Sequence, residues 1–66
     1  MIRVLVVDDH PQVRRTVVEV LSEREELVVV GQASDGAMAI EQARALRPQV
    51  VVMDLNMPEM SGLQAT

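Results

Sequence analysis

Hydrophobic and polar positions follow one another in blocks along this chain, with short apolar runs alternating with longer amphipathic stretches. The apolar runs are rich in β-branched residues, which is typical of strands buried on both faces of a parallel sheet. They predict three strands, at Ile2–Val7, Leu27–Val30 and Val50–Met53. Each of the outer two runs ends abruptly at aspartate, and Gly31 closes the middle one.

The amphipathic stretches between the strands predict two helices. The first runs from about Pro11 to Arg24 and follows Asp9, a residue type that caps helices well, while proline is tolerated in the first turn. The second runs from Gly36 to Arg47 and is stopped by Pro48. The apolar stripes consist of Val13, Val17, Val20 and Leu21 in the first helix and Ala39, Ile40, Ala43 and Leu46 in the second.

The resulting order of strand, helix, strand, helix, strand predicts a parallel sheet with right-handed crossovers. The fold class is therefore α/β, a flavodoxin-like doubly wound parallel sheet truncated after the third strand. Such a sheet has an unpaired apolar edge, so we expect the isolated chain to oligomerise or to pack loosely. Beyond the third strand, the sequence predicts a loop at Pro58–Ser61 and the start of another helix at Gly62–Thr66.

Composition narrows the possible functions. The 66 residues form one domain at most, and the 48% hydrophobic content argues against disorder. A net charge of −4 and the lack of aromatic residues argue against nucleic-acid binding by this segment and favour a cation. Without cysteine and with a single histidine, a zinc site is not expected. No apolar run approaches the ~20 residues that span a bilayer, so we expect a cytoplasmic protein without membrane association.

Acidic residues stand directly after two of the predicted strands, Asp8 and Asp9 after the first and Asp54 after the third. In the flavodoxin-like order these two strands are neighbours, so the three carboxylates converge at the sheet edge where such folds bind ligands. Carboxylates this close repel one another, which raises the pKa of one of them or recruits a cation. Mg²⁺ prefers oxygen ligands of this kind, and a carboxylate beside it is suited to accept a phosphoryl group.

Three motifs give the chain a family resemblance: V-D-D-H-P after the first strand, S-D-G-x-x-A-I before the second helix, and V-V-M-D-L-N-M-P-x-M-S-G around Asp54. They resemble the receiver domain of bacterial two-component response regulators, over the whole chain. The sequences of the motifs, D-D-H-P, V-V-G-Q-A-S-D-G and G-L-x-A-T, are most similar to those of regulators that carry a LuxR-type helix-turn-helix output domain.

The resemblance implies a role for each residue of the acidic site. Asp54 is expected to accept a phosphoryl group from a sensor histidine kinase. Asp9 is expected to bind Mg²⁺ directly and Asp8 through water, while Asn56 supplies a backbone carbonyl, so that the metal set is Asp8, Asp9, Asp54 and Asn56. Such a receiver is a signalling switch with at most self-phosphorylation and self-dephosphorylation activity, not a metabolic enzyme.

The resemblance also implies what lies outside this sequence. Residues 1–66 correspond to the N-terminal part of a receiver, without the family's fourth and fifth strands and the Ser or Thr and Lys that contact the phosphoryl oxygens. DNA contact is expected only through an output domain that this chain does not contain. Arg14 and Arg15 are expected to lie on a solvated face of the first helix. In receivers this helix is the docking face for the kinase, so kinase contact there is the alternative.

Two other functions stay open. The first is a truncated or degenerate receiver that acts by homodimerisation, strand exchange or partner binding through its exposed third strand. The second is a small Mg²⁺-dependent phosphatase. Simpler interpretations remain for single residues: Asp8 and Asp9 as a helix cap only, and His10 as a partly exposed loop residue.

Two motifs with matching spacing fail on chemistry. A phosphate-binding loop at Gly31–Gly36 has Ala37 and Met38 where Lys and Ser or Thr are needed. A calcium loop beginning at Asp54 has Glu59 in place of the required glycine and Ala65 in place of the final glutamate.

Overall fold

The computed structural model describes residues 1–54. Along them the chain forms five elements in the order β1 (Ile2–Val7), α1 (Pro11–Ser22), β2 (Leu27–Ala33), α2 (Gly36–Leu46) and β3 (Val50–Met53). The predicted α/β alternation is confirmed. The loop and helix start predicted at 58–61 and 62–66 lie outside the described residues.

The three strands form one parallel sheet in the order β2-β1-β3, which confirms the flavodoxin-like arrangement. At its carboxyl end Val7 is paired with both Ala33 and Met53. β1 is therefore the central strand, and its residues Val4 to Val7 are all buried. Since β-branched side chains suit the pleated surface of a strand, a run of valines in this central position forms most of the core.

The two faces of the sheet carry different helices. Leu5 and Val7 pack with Ala33 and with Ala39 of α2 in one core cluster. Val4 and Val6 alternate with them along β1 and so face the other side, while α1 contacts β1 and β2. Within residues 1–54 neither helix is long and apolar enough to cross a membrane.

β2 continues beyond the predicted end at Val30, because Gly31 is an interior residue of the strand and does not terminate it. A Cβ atom on Gly31 would lie 2.5 Å from Leu46 Cδ1 and 2.9 Å from Gln42 Oε1. Glycine thus permits the close approach of α2 to the strand. The pairing with β1 also shifts register here, between Val4 and Leu5.

The prediction that β3 is buried on both faces is wrong. Val50, Val51 and Val52 keep 45%, 43% and 36% of their surface exposed. β3 lies at the edge of the sheet, paired with β1 alone among the described strands, and the helices pack mainly over β1 and β2. Only Met53, at its carboxyl end, packs against the core cluster.

The apolar stripe predicted for α1 is partly wrong. Val13 and Val20 are 49% and 57% exposed, whereas Val17 and Leu21 are half-buried. Arg14 is also half-buried, on the face that the helix turns toward the sheet. α1 ends at Ser22, two residues before the predicted end.

Candidate functional site

Backbone hydrogen bonds carry the sheet one residue beyond its strands on both sides of β1. The N–H of Asp8 donates to the carbonyl of Ala33 at 3.0 Å, and the N–H of Asp54 donates to the carbonyl of Val7 at 3.1 Å. Asp8 and Asp54 therefore leave the sheet from adjacent strands at the same edge. This is the convergence that the strand order predicts.

The acidic residues come together with a fourth side chain. One possible ligand atom from each of Asp8, Asp9, His10 and Asp54 lies within 4.8 Å of the others. The sequence therefore predicts correctly that the three carboxylates meet, and Asn56 lies outside the described residues. Sequence reasoning placed His10 in a loop without a role at the site. The signal that could have found it is its position directly after the acidic pair.

The two adjacent aspartates have different surroundings. Asp8 is buried, with 7% of its surface exposed, and its Oδ1 accepts the His10 N–H at 2.8 Å. The Asp9 side chain is 34% exposed and that of His10 69% exposed. The site thus has a buried floor at Asp8 and an open side at Asp9, from which solvent or a ligand can enter.

The prediction that Asp9 caps α1 is wrong. The N-cap of α1 is His10, in an extended conformation and without a side-chain capping hydrogen bond, and Pro11 begins the helix. The interpretation of Asp9 as a structural cap therefore loses its support. Asp35, by contrast, caps α2, because its Oδ1 accepts the N–H of Met38 at 2.8 Å.

His10 contacts both aspartates of the pair. Its Nδ1 lies 2.8 Å from Asp9 Oδ1 and 3.4 Å from Asp8 Oδ1. When Nδ1 carries a proton, the shorter contact is a hydrogen bond, and it is an ion pair when the ring is protonated on both nitrogens. A cation that binds Asp9 Oδ1 has to share or replace this contact.

Arg14 reaches the site from the helix. Its Nη1 donates to the backbone carbonyl of Asp8 at 2.9 Å, and its Nε donates to Oε1 of Gln32, on β2, at 3.3 Å. The expectation of a purely solvated face is therefore wrong for Arg14, whereas Arg15 is exposed.

The donor set matches the requirements of Mg²⁺. This ion takes oxygen ligands, keeps several waters and uses one or two carboxylates, and the site offers three carboxylates with an open side. The one nitrogen donor, His10, is the most exposed of the four side chains. The residues therefore fit a hard divalent cation better than zinc, which is usually held by nitrogen and sulfur.

Comparison with known families identifies the class of protein. The response regulator receiver domain family matches residues 4–66. The chain therefore belongs to this family, and the three parallel strands and two helices of residues 1–54 form the corresponding α/β receiver fold.

Similar proteins include a methylesterase and a response regulator. The chain is 56% identical, over its whole length, to "Protein-glutamate methylesterase/protein-glutamine glutaminase 3" of Anaeromyxobacter dehalogenans (strain 2CP-C), of which it covers 19%. It is 52% identical, also over its whole length, to "Response regulator GacA" of Pseudomonas viridiflava, of which it covers 31%. The chain thus spans less than a third of the length of these two relatives.

A solved structure shows the same architecture. The crystal structure of a LuxR-family two-component response regulator from Aurantimonas sp. SI85-9A1 superposes with a TM-score of 0.88 at 38% identity. The match covers 96% of this chain and 45% of that one. The arrangement of residues 1–54 is therefore that of a receiver over the shared length.

Proposed function

We propose that this chain is the phosphoacceptor part of a receiver domain in a two-component signalling system, in which Asp54 takes a phosphoryl group from a sensor histidine kinase. The observation that supports it best is the meeting of Asp8, Asp9 and Asp54 at the carboxyl edge of the sheet. Residues 1–66 are the N-terminal part of that domain. Its fourth and fifth strands and an output domain belong to sequence outside this chain.

We assign Mg²⁺ as the cofactor, held directly by Asp9 and Asp54, through water by Asp8, and by the backbone carbonyl of Asn56. The exposure of the two neighbouring aspartates supports this division, because Asp9 is open to solvent and Asp8 is buried. When bound, Mg²⁺ supplies positive charge that neutralises the incoming phosphoryl group.

The chain's own residues then position the nucleophile. A carboxylate oxygen of Asp54 attacks phosphorus, the bond from phosphorus to the kinase's histidine nitrogen breaks, and its electron pair returns to the imidazole. The product is an acyl phosphate on Asp54. The hydrogen bond from the Asp54 N–H to the carbonyl of Val7 fixes the backbone of this residue during the transfer.

For the output we propose a LuxR-type DNA-binding domain, so that phosphorylation controls transcription in the cytoplasm and DNA is contacted only through that domain. The sequence motifs around Asp8, Gly31 and Gly62 support this, as does the LuxR-family structure. The methylesterase relative shows that similar receivers are also joined to enzymes. This chain itself acts as a switch, with at most self-phosphorylation and self-dephosphorylation.

Intact mass measurement tests the phosphoacceptor role. After incubation with acetyl phosphate and Mg²⁺, the chain gains the mass of one phosphoryl group, and hydroxylamine removes it. Asp54→Asn gains none, and Asp35→Asn, at the cap of α2, still gains one. No mass gain in the parent chain refutes phosphoryl acceptance by residues 1–66, and release of phosphate from a generic phosphate ester indicates a phosphatase instead.

One observation favours a second function, a degenerate receiver that acts by homodimerisation or by pairing with another chain through β3. Val50, Val51 and Val52 are more than a third exposed on this edge strand. In that case association does not depend on acetyl phosphate and persists in Asp54→Asn. Phosphorylation-dependent association excludes it.

A further inference from the structure

We propose that Arg14 is a positioning residue of the acidic site, which holds the Asp8–His10 turn in the geometry that lets the carboxylates share one cation. This inference rests on the proposed Mg²⁺ site, and it adds a residue of α1 that does not touch the cation itself. The Arg14 guanidinium donates to the carbonyl oxygen of Asp8, at the peptide bond that joins the two aspartates.

The hydrogen bonds around Asp8 show why this contact matters. The Asp8 N–H is held by Ala33 on β2, and its side chain accepts the N–H of His10 inside the turn. Its carbonyl is held by Arg14. This last bond ties the turn to α1 through a side chain, and it fixes the plane of the peptide from which Asp9 continues.

Gln32 orients the guanidinium. Its Oε1 accepts from Arg14 Nε, and Gln32 precedes Ala33, whose carbonyl accepts from Asp8. Asp8, Arg14 and the Gln32–Ala33 segment therefore form a closed ring of contacts that joins β1, α1 and β2. A planar guanidinium with several fixed donors can make both bonds at once, and an ammonium group cannot do so with the same geometry.

The charge of Arg14 stabilises the carboxylates before a cation binds, and by itself it opposes the binding of a second cation, so the gain in Mg²⁺ affinity comes from the geometry of its hydrogen bonds. A cation bonded to a backbone carbonyl reduces the repulsion among nearby carboxylates without occupying their oxygens. The two side-chain hydrogen bonds of Arg14 described above go to uncharged acceptors, a carbonyl and an amide. The carboxylate oxygens of Asp8 and Asp9 are thus left to His10 and to a divalent cation.

Arg15 provides a matched control. It is adjacent in sequence and carries the same charge, but it is exposed on the outer side of α1. We compare the parent chain with Arg14→Ala, Arg14→Lys and Arg15→Ala. Mg²⁺ affinity is measured by titrating the amide resonances of residues 8–10 in the unphosphorylated protein, and exchange of the His10 amide hydrogen is measured without metal.

Arg14→Ala weakens Mg²⁺ binding by about tenfold, a typical effect of removing a group that orients metal ligands, and speeds exchange of the His10 amide. Arg14→Lys recovers part of both, since it keeps one donor to Asp8 but loses the second bond to Gln32. Arg15→Ala changes the affinity by at most about twofold, because a solvated surface charge contributes little.

The inference is wrong if Arg14→Ala matches Arg15→Ala in Mg²⁺ affinity, or if it speeds exchange without changing the affinity, which is a structural role only. If Arg14→Ala unfolds, Arg14→Lys serves as the test. A lysine variant with the Mg²⁺ affinity and the His10 amide exchange of the parent chain shows that the two-bond geometry of the guanidinium has no role. If the parent chain shows no Mg²⁺ response, the proposed metal site fails. In that case the inference about Arg14 fails with it, whereas a parent chain that binds Mg²⁺ and an Arg14→Ala variant that binds it equally well overturn the inference alone.

Discussion

Asp8 and Asp9 are adjacent and chemically identical side chains, but their neighbours give them different surroundings. Asp8 is buried, and its backbone and side chain all have hydrogen-bond partners, so that its position is fixed before any ligand arrives. Asp9 is more exposed and contacts the imidazole of His10. A cation that enters the site therefore meets Asp9 from the solvent side, while Asp8 forms the buried wall behind it.

This difference predicts how Mg²⁺ affects stability. We expect Mg²⁺ bound at the proposed site to raise the free energy of unfolding, by about 2.7 kcal/mol at one hundred times the dissociation constant. Asp9→Asn removes most of the dependence, since it replaces the accessible carboxylate. The measurement is urea denaturation with and without MgCl₂, at ionic strength matched with NaCl.

Glu19, an exposed carboxylate on α1, provides the control for that experiment. Glu19→Gln keeps the full Mg²⁺ dependence, because an isolated surface carboxylate holds the ion weakly. Equal loss in both variants, or a response that NaCl reproduces, contradicts a specific site at Asp9.

At the scale of elements, the sequence best predicts the bounds of those strands and helices that residue type alone determines. β1 has the predicted bounds, because a β-branched run that ends at two aspartates leaves little choice. The outcome differs where contacts decide: Gly31 lies inside β2 because α2 packs closely over it, and Arg14 faces inward because Asp8 and Gln32 accept its hydrogen bonds. A hydrophobicity pattern shows neither how closely two elements pack nor which acceptors lie near a charged side chain.

Gly31→Ala tests this close packing. We expect a loss of about 1–3 kcal/mol in the free energy of unfolding, the usual cost of overpacking, because the added Cβ meets the Leu46 side chain. Urea denaturation measures it. The double variant with Leu46→Ala loses less than the sum of the two single changes, since the shorter side chain leaves room for the new methyl group. Additive losses, or an unchanged stability of Gly31→Ala, contradict this account.

At the scale of the whole molecule, residues 1–54 place most of their core around one strand. β1 is covered on both edges and both faces, whereas β3 has β1 as its paired strand and carries three exposed valines. The sequence predicts the place of β3 beside β1, from the flavodoxin-like strand order. It does not predict that the valines of β3 are exposed on its faces, because a β-branched run has the same composition whether or not helices cover it.

An exposed apolar edge predicts self-association of the isolated chain. A lysine on an edge strand opposes such pairing, so Val51→Lys lowers the weight-average mass at high protein concentration. Sedimentation velocity over a concentration series measures this. Val20→Lys makes the same substitution at an exposed position of α1 and leaves association unchanged. A monomeric parent chain, or equal effects of the two lysines, refutes association through β3.

The central position of β1 also has a consequence for synthesis on the ribosome. Arg3 and Gln49 hydrogen-bond to each other across 46 residues of sequence, so β1 is synthesised well before its partner β3. At roughly 5–20 residues per second, that interval lasts several seconds. During it the valines of β1 lack one of their two neighbours, and the nascent chain presents an apolar segment that a chaperone can bind.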